Sequence, residues 1–303
     1  MLYLLIALIA VLFISLICYY IVFFSPQGMQ NDHYSLPVGE QYDKYRARMS
    51  GYIDDFLMLD CEIVEIVSRD GLLLRGRYYH LSDDAPVDIC FHGYRGTGVR
   101  DFCGGSRIMM KMGHNVILVD QRAHGESQGH SIGFGVKERF DCLSWIDYVL
   151  CRFGEDREIN LMGVSMGAAT VLMASGLELP ENVKHIVADC PYSSAPEIIK
   201  KVCRDMHLPA PLVYPFIYLS ALIFEHFRLD VCDCEHAVKS STTPTLIIHG
   251  EDDRFVSCEM SEQIQSANPA FVRRVTFPGA AHGISYIVDK PRYETIVEEF
   301  FGS

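Results

Sequence analysis

Apolar residues recur along this chain in three rhythms, and each predicts a different element. Residues 2–24 form one apolar run without a charged side chain. At ~1.5 Å per residue, a helix of that length crosses a hydrocarbon layer of ~30 Å. Residues 62–67 then alternate, Arg69-Asp70-Gly71 supplies a turn, and residues 72–80 run on, which predicts a β-hairpin. Beyond it, short apolar runs alternate with longer stretches of helical period. Residues 87–91, 115–119, 159–162, 183–188, 245–248 and 272–277 read as strands; residues 101–112, 136–153 and a segment opening at Met166 read as helices. Such alternation predicts an α/β fold with a mainly parallel sheet, helices on both faces and, with the hairpin, eight strands.

Two segments break the rhythm. Residues 26–60 are polar and irregular apart from a helix expected near Asp43 to Phe56, and they link the first apolar run to the body at 61–303. Residues 191–243 carry no strand signal and are apolar in the middle, over 208–227. Pro209, Pro211 and Pro215 weaken a second membrane span there. A span would also place the chemistry-bearing residues before and after it on opposite sides of a bilayer. The segment therefore reads as a helical cap at about 191–243, inserted over one edge of the sheet, with 208–227 either walling a pocket or packing the cap onto the body.

The first run reads as an uncleaved single-pass transmembrane anchor over residues 1–25. A cleaved signal would need a basic start, a shorter apolar stretch and a small-x-small site. Here no Lys or Arg precedes Lys44, and Phe23-Phe24-Ser25-Pro26 is a poor cleavage site. Tyr19, Tyr20, Phe23 and Phe24 resemble an interfacial aromatic belt, and the basic residues beyond the span favour a cytoplasmic body. Removing residues 1–24 is expected to leave a soluble, active body.

Composition adds exclusions. A formal net charge of −13 without clustered Lys and Arg excludes a nucleic-acid partner. Eleven cysteines with no C-x-x-C pair read as free thiols of a reducing compartment. Cys232, Cys234 and His236 lack an evident fourth ligand, so no metal is expected.

Candidate chemistry gathers at the ends of the predicted strands. Gly163-Val164-Ser165-Met166-Gly167 matches G-x-S-x-G between an apolar strand and a small-residue helix, the sharp turn that holds a nucleophilic hydroxyl clear of a sheet. A hydroxyl needs a base, and the base an orienting carboxylate. His249-Gly250-Glu251-Asp252-Asp253 follows one strand and offers Asp253 as acid, with Asp252 as rival; Gly279-Ala280-Ala281-His282-Gly283 follows the next and offers His282 as base. Oxyanion donors are expected from the Met166 amide and, in the loop His92-Gly93-Tyr94-Arg95-Gly96-Thr97-Gly98, from the Tyr94 amide. That loop lacks the G-K-[ST] of a phosphate cradle.

H-G-Y-R-G-T at His92, D-Q-R-A-H-G-E-S at Asp120, G-V-S-M-G, H-G-E-D-D-R-F-V and A-A-H-G, in this order, resemble the α/β-hydrolase superfamily from about Cys61 to Phe300. The resemblance implies no cofactor, a bracing role for Asp120, Arg122 and His124, and hydrolysis through an acyl-enzyme. An esterase or lipase-like enzyme acting on a small-molecule or lipid-like apolar acyl substrate is the leading expectation. A peptidase-like or thioesterase member and a non-catalytic binding protein of the same fold are the alternatives.

Overall fold

The computed structural model describes residues 1–26 and 31–302. Its centre is one eight-stranded sheet of order β1-β2-β4-β3-β5-β6-β7-β8. The strands are β1 (Glu62–Val67), β2 (Leu73–Tyr79), β3 (Val87–Phe91), β4 (Asn115–Val119), β5 (Ile159–Val164), β6 (Val183–Asp189), β7 (Thr245–Gly250) and β8 (Val272–Phe277). β1 and β2 pair antiparallel as a hairpin and β2 joins β4 antiparallel, while every pairing from β4 through β8 is parallel. The central strands are buried on both sides, which is why they read as unbroken apolar runs rather than alternations.

The period of two divides those runs between two cores. Val87, Ile89 and Phe91 of β3 enter one, and Cys90 enters the other. The helices are α1 (Leu2–Val22), α2 (Glu40–Asp43), α3 (Arg46–Leu57), α4 (Gly98–Phe102), α5 (Ser106–Lys111), α6 (Glu138–Phe153), α7 (Met166–Ala174), α8 (Ala195–Asp205), α9 (Ala210–Phe224), α10 (Cys234–Ser240), α11 (Cys258–Ala267), α12 (Ser285–Val288) and α13 (Lys290–Phe301). The last turns of α1 and the helices α6 to α11 cover the first core; α2 to α5, α12 and α13 cover the second.

Several sequence expectations shift in detail. The helix expected over 101–112 is two short helices, α4 and α5, parted at Cys103-Gly104-Gly105. Gly104 is needed there, because a Cβ would lie 2.5 Å from the Tyr286 ring. The linking helix is likewise two pieces, α2 and α3, and residues 27–30 of the linker lie outside the described residues.

The larger correction concerns the end of α1. The aromatic residues read as an interfacial belt are in part core residues. Phe23 is fully buried between the Phe134 and Phe227 rings, at 5.7 and 6.2 Å, and buried Tyr19 packs on Phe224; only Tyr20 is exposed. The chain continues into the body: Ser25 Oγ donates to Ala123 O at 2.7 Å, Ser25 N donates to His130 O, and Ile132 N donates to Phe23 O. The last carbonyls of a helix have no partner within it and carry its negative dipole end. Here Tyr94 Oη donates to Val22 O at 2.8 Å, and the Arg95 guanidinium donates to Ile21 O at 3.0 Å and Phe24 O at 3.3 Å.

A chain lacking residues 1–24 therefore exposes a core slot and loses four hydrogen-bond partners, against the expectation of a clean release. Phe23→Ala alone should cost about 3 to 5 kcal/mol, the usual range for emptying a fully buried aromatic site. Urea unfolding of the full chain in detergent measures this, and the 1–24 deletion should lose at least as much. Equal stability of deletion and parent would show that the end of α1 is not part of the folded body.

Candidate active site

β5 ends at Val164 and α7 begins at Met166, so one residue must reverse the chain. Ser165 does so at φ 56° and ψ −112°, a conformation that costs a non-glycine residue about 1 to 3 kcal/mol. The turn is closed from both sides. A Cβ on Gly167 would lie 1.8 Å from Phe91 O, and one on Gly163 would lie 2.3 Å from the Gly167 backbone. Both glycines are required by backbone contact rather than by conformation.

The loops after β7 and β8 deliver the partners. His282 Nε2 lies 2.9 Å from Ser165 Oγ, and His282 Nδ1 lies 2.7 Å from Asp253 Oδ2. Asp253 is buried, and Asp252 is exposed and makes no side-chain bond to His282. The amides of Phe255 and Val256 donate to Asp253 Oδ1 at 2.9 and 2.8 Å, leaving Oδ2 for the imidazole. Burial pushes the Asp253 carboxyl up, but the His282 and His249 imidazoles and the backbone donors outweigh it and hold the group well below the usual carboxylate range. With Asp253 ionised, His282 carries its proton on Nδ1 and turns a bare Nε2 to the serine hydroxyl.

The sequence reading did not assign His249 a role. Its Nε2 sits 3.3 Å from Asp253 Oδ2 and 3.1 Å from Val256 O, so it is a second imidazole on the oxygen that meets His282. The H-G-x-x-D spacing could have revealed it, since the histidine that ends β7 stands four residues before the acid. Cys190 Sγ is 3.9 Å from His282 Nε2, and Tyr42 Oη donates to His282 O at 3.3 Å.

In the loop after β3 the Tyr94 amide stands free between two committed neighbours. Gly93 N donates to Asp101 Oδ2 at 2.7 Å, and Arg95 N donates to His124 Nε2 at 3.0 Å. Among the described residues the Tyr94 amide between them has no partner within the chain, nor has the Met166 amide at the head of α7. His124 is pushed far below its usual range, first by burial and then by His92, so it is neutral and able to accept. Arg122 pairs with Asp141 through two 2.6 Å bonds and with Asp70, which locks the loop after β4. Cys232, Cys234 and His236 do not meet: Cys234 Sγ faces Ala169 O, and Cys232 Sγ faces Met173 Sδ.

A cavity of about 740 Å³ opens on Ser165 and His282. Its outer wall is not the segment 191–243, which contributes no lining residue. It is the polar stretch after the first helix, through Leu36, Val38, Tyr42 and Met49, facing Phe102 and Ile284. Of the two readings of residues 208–227 this removes the pocket wall and leaves the packing one: α9 packs on α1, outside the cavity.

A family described as alpha/beta hydrolase fold matches residues 89–204. The chain is 22% identical to the uncharacterised protein YqkD of Bacillus subtilis over 82% of its own length and 81% of that protein's. It is 27% identical to lysophosphatidylserine lipase ABHD12 of Xenopus tropicalis over 74% of this chain, spanning 59% of that relative. The esterase Pf2001 of Pyrococcus furiosus superposes with a TM-score of 0.65 at 24% identity, over 82% of this chain and 94% of that one. Est1E of Butyrivibrio proteoclasticus, solved with ferulic acid, gives 0.59 at 20% identity, over 79% of this chain and 100% of that one. Sheet order, the sharp turn after β5 and these likenesses agree on an α/β-hydrolase fold for the chain.

Proposed function

We propose that the protein is a serine hydrolase that cleaves a carboxylic ester with an apolar acyl group, anchored to a membrane by α1. The observation that carries this reading is the unbroken line Ser165 Oγ, His282 Nε2, His282 Nδ1 and Asp253 Oδ2, with links of 2.9 and 2.7 Å, opening into a cavity of ligand size. In the first half-reaction His282 Nε2 takes the Ser165 proton as Oγ bonds the acyl carbon. The negative oxygen faces the Met166 and Tyr94 amides; the bond to the alkoxy group then breaks, and His282 returns the proton to the leaving alcohol. Water repeats the sequence on the acyl-serine and frees the acid. Likeness to an esterase and to a lysophosphatidylserine lipase supports an ester of lipid character. All eleven cysteines are unpaired, which supports a body on the cytoplasmic side.

The cavity is lined mainly by apolar side chains, with Arg100, Asp101, Arg254 and a buried acid, Asp189, among its polar groups. Asp189, at the end of β6, accepts from Tyr293 Oη at 3.1 Å through Oδ2, while its buried Oδ1 has no partner among the described residues. Burial lifts its pKa to about 6, with Tyr293 and the nearby imidazoles of His249 and His282 working against the rise. Below that value the Asp189 carboxyl is uncharged; above it an anion sits beside the acyl pocket.

Three outcomes test this. Ser165→Ala and His282→Ala should each cut turnover of a p-nitrophenyl ester by roughly 10⁴ to 10⁶, and Asp253→Asn by about 10⁴. A fluorophosphonate probe should label the parent and not Ser165→Ala; labelling of both would remove Ser165 as nucleophile. Across p-nitrophenyl esters of growing acyl length, kcat/KM should rise by up to about fourfold per methylene until the cavity is full, and a flat series would refute an apolar acyl site. For Asp189 the folded state keeps a proton that the unfolded state has lost between about pH 4 and 6, so stability falls as pH rises through that window. Removing this loss, Asp189→Asn should be more stable at pH 7 by about 3 kcal/mol and nearly indifferent at pH 4. Unfolding curves at the two pH values decide it.

A further inference from the structure

α9 is an apolar helix that lies outside the cavity at Ser165. From Leu208 to Phe224 the chain has no charged residue, and the helix turns two faces in different directions. Ile217, Ser220 and Ala221 are buried, with Phe224 beside them against Tyr19 of α1. Half a turn away, Leu208, Pro211, Leu212, Pro215, Leu219 and Leu222 follow one another along the opposite side. Leu212 is 68% exposed and Leu222 36%, although a soluble surface would place polar side chains there.

What covers that face is indicated by its neighbour. α1, which lies along α9, is long and apolar enough to cross a membrane and is exposed round its whole circumference over residues 2–10. Polar groups mark where the apolar surface ends. Tyr218 Oη donates to Asp230 Oδ1, Arg228 pairs with Asp230, and Lys200 lies over the Tyr214 ring, all on the flank of α9 rather than on its Leu stripe. A helix with one lipid-like face, a tyrosine-rich flank and charges beyond it has the profile of an interfacial element.

We propose that the outer face of α9 is a second membrane contact, immersed in the acyl-chain side of the lipid bilayer next to α1, so that the body rests on the membrane instead of swinging from a tether. This rests on the reading of α1 as an anchor and not on the hydrolase chemistry. The cavity mouth would then be held at a fixed height above the lipid surface, since the loop that carries Tyr94 is bonded to the end of the same α1.

The chain has a single tryptophan, Trp145, fully buried in the core, which makes introduced indoles readable. The full chain would be reconstituted in phosphatidylcholine vesicles with brominated acyl chains, carrying Leu212→Trp, Leu222→Trp, Phe13→Trp in α1, or Asp83→Trp on an exposed body turn. The indoles at 212, 222 and 13 should lose most of their added emission relative to unbrominated vesicles, while the parent and Asp83→Trp keep theirs. Quenching at 13 with 212 and 222 behaving like 83 would overturn the contact and leave the anchor standing. Shielding of 212 and 222 from both brominated lipid and aqueous iodide would overturn it in favour of a protein partner, and no quenching at 13 would overturn anchor and contact together. Turnover of p-nitrophenyl butyrate, measured on the same vesicles, reports separately on the hydrolase reading.

Discussion

Everything at the candidate site depends on how closely α7 is pressed against β3 and β5. The reversal at Ser165 leaves no room for a side chain at 163 or 167, and a Cβ at 167 would sit almost on Phe91 O. Because α7 meets the sheet this closely, the Met166 amide at its head and the end of β3 belong to one rigid unit. The loop that leaves β3 starts from that unit, so the nucleophile and both oxyanion donors proposed for it are placed by a single contact. The strain of a positive φ at Ser165 is sustained by α7 and by its backbone bond to Asp189 O.

The proposed acid and base, Asp253 and His282, reach Ser165 by a different route. They come from the ends of parallel neighbours, β7 and β8, where an open sheet gathers its loops. Asp253 has three inputs fixed before any substrate arrives: two amides on Oδ1 and His249 beside Oδ2. Fixing the carboxylate fixes the imidazole tautomer. The bracing groups behind the other loop work in the same way. His124 and Asp101 each occupy one amide flanking Tyr94, so the free donor is defined by the commitment of its neighbours.

The parts legible in the sequence were those written in short range. G-x-S-x-G, H-G-x-x-D and A-A-H-G each place a residue relative to a strand end a few positions away, and the strands announce themselves as apolar runs because both of their faces are covered. The hairpin was legible from Arg69-Asp70-Gly71 between two runs. Long-range partners were not. Phe23 and Tyr19 have the composition of an interfacial belt, and nothing in the local sequence distinguishes a ring that meets lipid from one that meets Phe134 or Phe224. The pocket wall at Leu36 to Met49 was hidden for the opposite reason, since a polar and irregular stretch carries no periodic signal. Apolar composition at 208–227 left pocket wall and packing surface both open, because composition gives no direction. The break at Gly104 depends on Tyr286, some 180 residues later in the chain, and was equally beyond local reading.

These placements give the N-terminal region a role that an inert tether would not have. The carbonyls at the end of α1 are bonded by Tyr94 and Arg95, the residue chosen for its free amide and the residue next to it. After the undescribed residues 27–30, the chain returns to form the outer wall of the cavity and reaches His282 O through Tyr42. One stretch of sequence thus touches the proposed oxyanion loop at one end and the loop of His282 at the other. A force that shifts α1 along its axis acts directly on the hydrogen bonds of Tyr94 and Arg95, because helix carbonyls are rigidly joined to the helix. The helix expected to hold the protein at a membrane is by the same bonds part of the frame around the reacting groups, and the site is shaped by where that helix rests.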